Sequence, residues 1–407
     1  MQRSIEFLKL IKIWEQYGTP NPPVIPNKGM FNDTTISAYQ NFPIKATDFG
    51  AINHIRPSDV NMNLKLKYAG DNVKENDTLN FNDASLNINE DITFTVNTGA
   101  GINISGANGK LDSKTGSTII FPVDFKLNIF DLAGMNSSGT TFTTTGENII
   151  WDGIRLENPG NVYISNNCVF NNAKIAVSSV NSNNFVTNIS GSTFNIPIMQ
   201  ETDHYGIKLI NANNVLIDGN IFNLSEYNNS SLHSAGFSIQ NYIENFTVPS
   251  IVIQNNNFYN GYAHILLGGY LDNLLPVYLY ANNFNNSAYN VLTNGVSVDF
   301  DKNLFNHENY SYLAINLYNS SANFLDNTIN SNSCCMQNNF SVSNFAPILS
   351  SQEEYIWTGG RNKLNSASDW NIDIYSNYVY TNGGLNEFKV QNANAGLSPI
   401  FRTKRKA

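Results

Sequence analysis

Charge is scarce in this chain. Of 407 residues only 14% are Asp, Glu, Lys or Arg, and 32 acidic side chains outweigh 23 basic ones, for a formal charge of −9. That balance offers no basic face to nucleic acid, whose phosphates are on average repelled. Arginine is missing from the middle: none lies between Arg155 and Arg361, and the lysines of that span are Lys174, Lys208 and Lys302. A polyanionic ligand would lack point-charge and bidentate partners there. The three cysteines, Cys168, Cys334 and Cys335, are odd in number with two adjacent, which excludes a disulfide framework and a zinc site. No apolar run approaches the roughly 18 residues of a membrane span. Met1 to Trp14 is interrupted by Glu6, Lys9 and Lys12 and is followed by no small-residue cleavage site, so no secretory signal is expected. Disorder is excluded by a hydrophobic content of 41%.

Asparagine is what the chain has in excess: 70 residues, close to one in six. Asn is a poor helix former, tolerates left-handed backbone and bonds its own main chain in turns. With 20 Tyr and 25 Phe against 13 Pro, the composition is that of a turn-rich β protein.

Residues 4–17 have the spacing of a short amphipathic helix carrying Phe7, Leu10, Ile11 and Trp14 on one face. Such a stripe either packs on its own domain or docks into another protein. A Pro-rich extended spacer, Thr19 to Pro26, completes an anchor segment over 1–30. Residues 31–74 lack a period and read as a capping module. From 75 to 390 short alternating strands closed by Asn or Gly follow one another, and 391–407 read as a small basic tail.

An internal repeat organises the long segment. An apolar residue, Asn three positions on and an apolar residue two further recur at Ile217–Asn220–Phe222, Ile253–Asn256–Phe258, Leu279–Asn282–Phe284, Phe300–Asn303–Phe305, Phe324–Asn327–Ile329 and Ile374–Asn377–Val379. Degenerate copies are Ile149–Asp152–Ile154 and Ile189–Ser192–Phe194, and Ile164–Asn167–Val169 fits in one of two registers. The closing positions from Phe194 to Ile329 are 28, 36, 26, 21 and 24 residues apart. A drifting period in the twenties, with insertions, is that of a solenoid coil; a propeller blade needs about 40 residues. Each coil sets an inward Ile, Val or Phe beneath the same residue of the next. Asn at one corner is expected to supply the left-handed backbone of the bend and to bond the Asn one coil away.

Residues 146–177 and 213–223 resemble coils of right-handed parallel β-helix proteins of the pectin-lyase-like class, and the resemblance covers roughly 75–390. It implies an all-β, right-handed parallel β-helix. That class includes pectate lyases, polygalacturonases and uronate epimerases. It also includes the trimeric tailspikes and receptor-binding spikes of bacteriophages, which this chain is most similar to. The lyases hold calcium with Asp clusters and use Arg or Lys as base, which the central coils lack. Asp299 and Asp301 alone are too few oxygen ligands for calcium. The polygalacturonase set, an Asn-Thr-Asp, a double Asp, a Gly-His-Gly and an Arg-Ile-Lys, is absent; Ile207–Lys208 has no preceding Arg. No metal and no cofactor are expected.

Two groups of residues remain as candidates. Glycoside hydrolysis needs two carboxyl groups about 5–10 Å apart, and Glu201 and Asp203, beside His204, with Glu226 in the next insertion, are the best cluster. Their alternative is solvated loop charge, while His264 and His307 read as locally bonded. Tyr242, Tyr259, Tyr262, Tyr278 and Tyr280 fall in an aromatic stretch, and alternation puts Tyr278 and Tyr280 outward if Leu279 is inward. Outward rings near amides suit a neutral glycan, or else a subunit contact. The expectation is a virion spike or receptor-binding protein, assembled in a host cytoplasm as a homotrimer. Its N-terminal helix would dock on other virion proteins and its body would recognise a host surface glycan, with or without cleaving it. A β-helix carbohydrate-active enzyme and a purely structural component are the alternatives.

Overall fold

The computed structural model describes residues 78–146, 149–197, 204–225, 234–241, 250–269, 275–307, 314–318 and 320–331. It also describes the strands Thr35–Ile36, His54–Ile55, Asp59–Val60, Leu64–Leu66, Asp71–Val73, Met336–Asn339, Ser343–Asn344, Lys363–Ser366, Ile372–Ile374, Val379–Tyr380, Glu387–Val390 and Phe401–Thr403. Among these residues every element is a strand. The helix read over 4–17, with Phe7, Leu10, Ile11 and Trp14, lies outside them. The chain divides into two compact units, Met1–Ala173 and Lys174–Ala407.

The first unit is a parallel β-solenoid with three ladders. One runs through Thr78–Asn82, Gly101–Ser105, Lys126–Phe130 and Trp151–Glu157. A second runs through Ser85–Ile88, Lys110–Ser113, Gly134–Ser138 and Val162–Ser165. The third runs through Thr93–Val96, Thr118–Phe121, Thr141–Thr144 and Val169–Asn171. Leu64–Leu66 pairs with Ser85–Ile88, so the ladders begin within the segment read as a cap. Alternation decides which side chains are inside: in Ser85–Ile88 the residues Leu86 and Ile88 are buried while Ser85 and Asn87 are half-exposed. Phe142 stacks on Phe170 at 4.6 Å and Phe121 on Trp151 at 4.3 Å. The corner is hydroxylic: Ser113 Oγ donates to Ser137 Oγ at 2.8 Å and Thr140 Oγ1 to Ser113 Oγ at 2.8 Å.

Two sequence copies resolve differently here. Of the two registers open at 164–169, the structure takes the one that buries Cys168 and Phe170 and leaves Asn167 exposed at φ 65°. Burial pushes the Cys168 thiol above its ordinary value. The degenerate copy at Asp152 is not a corner: it is the second residue of the strand Trp151–Glu157, 3.6 Å from Lys126 Nζ.

The second unit repeats the plan. Its ladders are followed through His204–Asp218, Ser234–Gln240, Ala263–Gly268, Tyr289–Asn294 and Ile315–Tyr318; through the end of His204–Asp218, Ser250–Gln254, Leu275–Tyr280, Val296–Asp301 and Ser321–Leu325; and through Thr193–Ile196, Ile221–Leu224, Asn257–Tyr259, Asn283–Asn285, Leu304–His307 and Thr328–Ser331. Phe401–Thr403 pairs with Ile372–Ile374, so pairing reaches the segment read as a tail.

The repeat anchors lie where their spacing requires. Ile217, Ile253, Leu279, Phe300 and Phe324 are buried, as are Phe222, Phe258, Phe284, Phe305 and Ile329. The rings of Phe194, Phe222, Phe258, Phe284 and Phe305 form one stack with centroid steps of 4.8, 4.7, 5.1 and 4.7 Å. Between the two columns runs a buried amide ladder. Nδ2 of Asn220, Asn256, Asn282 and Asn303 donates at 3.0–3.1 Å to Oδ1 of the next Asn, ending at Asn327. Ser192 takes the same corner position and donates its backbone N–H to Asn220 Oδ1 at 2.9 Å.

The bend itself is made elsewhere than expected. The left-handed residue precedes each ladder Asn: Gly219 (φ 66°), Asn255 (56°), Ala281 (51°), Lys302 (55°) and Asp326 (56°). A ladder Asn must turn its amide into the coil, and the residue before it takes the strained backbone. Among the described non-glycine residues at positive φ, all but Leu132, Ala281 and Lys302 are Asn or Asp, whose short polar side chains tolerate that region.

Candidate functional site

In the second unit the third ladder presents an uncharged outward face with one exposed ring. With Phe194, Phe222, Phe258, Phe284, Phe305 and Ile329 inward, the residues on either side of each point outward. One outward column is Thr193, Ile221, Asn257, Asn283, Leu304 and Thr328. The other is Asn195, Asn223, Tyr259, Asn285, Asn306 and Asn330, and neither contains a charge. The amides of the second column bond along the ladder. Asn223 Nδ2 donates to Asn195 Oδ1 at 2.8 Å, Asn306 to Asn285 at 3.0 Å and Asn330 to Asn306 at 3.0 Å. Tyr259 interrupts this row with a ring 38% exposed, and Ile221 beside it is also 38% exposed. The result is a single exposed ring in a row of carboxamides held at the strand spacing of about 4.8 Å, beside a column of Thr, Asn and aliphatic residues.

Tyr278 and Tyr280 do point outward, with Val277 and Leu279 buried between and beside them. They occupy the second ladder, so their face differs from that of Tyr259. Their rings stack near-parallel at 5.9 Å and 10°, and Lys302 Nζ sits 5.1 Å from the centroid of Tyr280. The strand above supplies Asp299 in register with Tyr278 and Asp301 in register with Tyr280. Tyr278 Oη donates to Asp301 Oδ2 at 3.1 Å, and Asn323 Nδ2 donates to Asp299 Oδ1 at 2.6 Å. Asp301 Oδ1 is shut off from solvent and receives no hydrogen bond. Desolvation first, then the hydrogen bond and negative charge of Asp301, push the Tyr278 hydroxyl up to about 12. It therefore stays a donor across the physiological range.

The remaining candidates are dispersed. Tyr262 packs edge-on to Tyr289 at 5.4 Å, beside a buried cluster of Tyr205, Ala235 and Ala263 at the start of the first ladder. His204 is buried at the strand start. His264 is buried beside the stacked rings of Phe258 and Phe284, 5.5 and 5.8 Å from their centroids, with Asn290 Nδ2 3.2 Å from its Nδ1. Glu201, Asp203, Glu226 and Tyr242 lie outside the described residues. Among the described residues no three His, Cys, Asp or Glu side chains come together as a metal site, and no helix is long and apolar enough to cross a membrane.

The aromatic stretch is thus divided among three ladders. The amide face was visible in the sequence and passed over. In Phe222–Asn223, Phe284–Asn285, Phe305–Asn306 and Ile329–Asn330 the residue after the closing anchor is Asn, whereas Phe258–Tyr259 and Val379–Tyr380 break the rule. Compared with protein-family models, with curated proteins and with solved structures, the chain matches none of them.

Proposed function

We propose that the protein recognises a neutral glycan through the face centred on Tyr259. One observation carries this reading: an exposed aromatic ring set in register within a row of uncharged amides, in a chain whose central coils hold no Arg. Sugar CH faces pack on an aromatic ring, and carboxamides serve hydroxyls as both donors and acceptors. An uncharged ligand has no need of the missing cations.

The fold is compatible with a spike or with a carbohydrate-active protein. We assign the chain to the spike class: a right-handed β-helix borne on a virion and assembled as a homotrimer. The helical stripe of Phe7, Leu10, Ile11 and Trp14 would be held by another virion protein. Tyr242 would add to glycan binding, and Tyr278 and Tyr280 would offer a separate glycan surface on another ladder, while Tyr262 packs beside the apolar cluster.

The test is binding of host surface polysaccharide to the intact protein, with reducing ends followed in parallel. Tyr259→Ala should weaken binding about tenfold, a typical loss for one stacking ring, with the urea midpoint unchanged. Wild-type affinity in Tyr259→Ala would remove this face from the proposal. Release of oligosaccharides abolished by Glu201→Gln, Asp203→Asn or Glu226→Gln would make the chain an enzyme instead.

A further inference from the structure

We propose that the outward face at Tyr278 and Tyr280 binds a protonated amine carried by a sugar, with Lys302 as its built-in competitor. The site lies on a different ladder from Tyr259 and goes beyond neutral-glycan recognition.

The face already holds a cation of its own. Lys302 is exposed, yet its ammonium rests 5.1 Å from the Tyr280 centroid, where the ring quadrupole attracts positive charge. The turn does not explain a lysine there. Its φ of 55° belongs to a corner filled in other coils by Gly219, Asn255 or Asp326. On the neighbouring strand Asp301, in register with Tyr280, accepts from Tyr278 at Oδ2, while its Oδ1 is shut off from solvent and so from a ligand as well. Asp299, in register with Tyr278 and exposed, accepts from Asn323 at Oδ1. It is the carboxylate that an ammonium at the rings would meet, and an ammonium offers it three N–H groups. Rings for the cation, an exposed carboxylate for its hydrogen bond and the neighbouring amide for a hydroxyl describe an amino sugar better than a neutral or acidic one.

A ligand amine enters by displacing the Lys302 side chain, which costs little because that side chain is solvated. Removing the lysine charge should therefore tighten binding. The probes are a tetramer of glucosamine and the same tetramer fully N-acetylated, titrated calorimetrically into the full chain at pH about 6, where the amines are charged. The wild type should bind the free-amine tetramer at least about tenfold more tightly, the scale of one charge-assisted hydrogen bond. Lys302→Met should gain about fivefold, the scale of one exposed cation–π contact. Asp299→Asn should lose the preference, and Tyr259→Ala should leave it intact. Equal affinity for the two tetramers, no binding of the free-amine one, or unchanged or weaker binding by Lys302→Met would overturn the proposal. Loss of neutral-glycan binding in Tyr259→Ala with the amine preference retained would separate the two faces.

Discussion

At the scale of single residues the fold depends on a saturated amide. Asn282 uses both of its N–H groups, on Ile253 O at 2.8 Å and Asn303 Oδ1 at 3.1 Å. Its Oδ1 accepts twice, from the backbone N–H and the side chain of Asn256. Leucine, of similar volume, would leave four buried partners short. Asn282→Leu should cost about 2–5 kcal/mol, since each unsatisfied buried group costs roughly 1–3. Asn195→Ala, which removes an exposed amide of the outer row, should stay within about 0.5 kcal/mol. Urea denaturation of the pair checks this, and equal midpoints would contradict the ladder.

Tyr278 makes a second residue-scale prediction. Its hydroxyl is raised from 10.0 to about 12 in the folded chain. The folded state holds that proton more tightly than the unfolded one, so the stabilisation is complete below pH 10 and is lost as pH rises through 12. Ultraviolet titration should show one late tyrosine, and Asp301→Asn should bring it earlier by removing the negative charge beside it while keeping an acceptor.

At the scale of elements the strands are short, and what unites them is the column. A Phe buried in the stack contributes about 1.5–3 kcal/mol by burial alone, and neighbouring rings bring more through offset stacking. The column also sets where side chains cannot be. At Gly236 a Cβ would lie 2.8 Å from the Phe258 ring and 3.1 Å from His264 O. Gly236→Ala should therefore cost about 1–3 kcal/mol, as overpacking does, and thermal melts should show it. An unchanged melting temperature would mean the ring has space the structure denies it.

These columns are also why the fold was legible in the sequence. Ile253, Asn256 and Phe258 state one coil, and five such triplets state the stacking. The first unit was less legible because its corner is built from Ser117, Thr140 and Cys168, which do not stand out in composition. The site was legible only in part. Alternation placed Tyr278 and Tyr280 outward, but no spacing rule says which of three ladders a tyrosine belongs to. Tyr259 follows an anchor Phe and so lands on the amide face. Tyr262 falls three residues later, past the turn, and joins the apolar cluster instead. The ladder Asn were correctly singled out, while the left-handed bend belongs to the residue before each of them.

At the scale of the whole molecule the governing fact is the separation of charge from the face centred on Tyr259. A chain of formal charge −9 that is short of Arg repels acidic polymers. Recognition through amides and one ring involves no ion pairs, so salt should have nothing to screen. The most direct measurement is the affinity of the intact protein for a neutral host polysaccharide and for a uronate-bearing one, at ionic strengths from about 0.05 to 0.5 M, a range over which the Debye length falls about threefold. Binding to the neutral polymer alone, with an affinity flat across that range, is the predicted result. Tighter binding to the acidic polymer, falling steeply as salt rises, would contradict it.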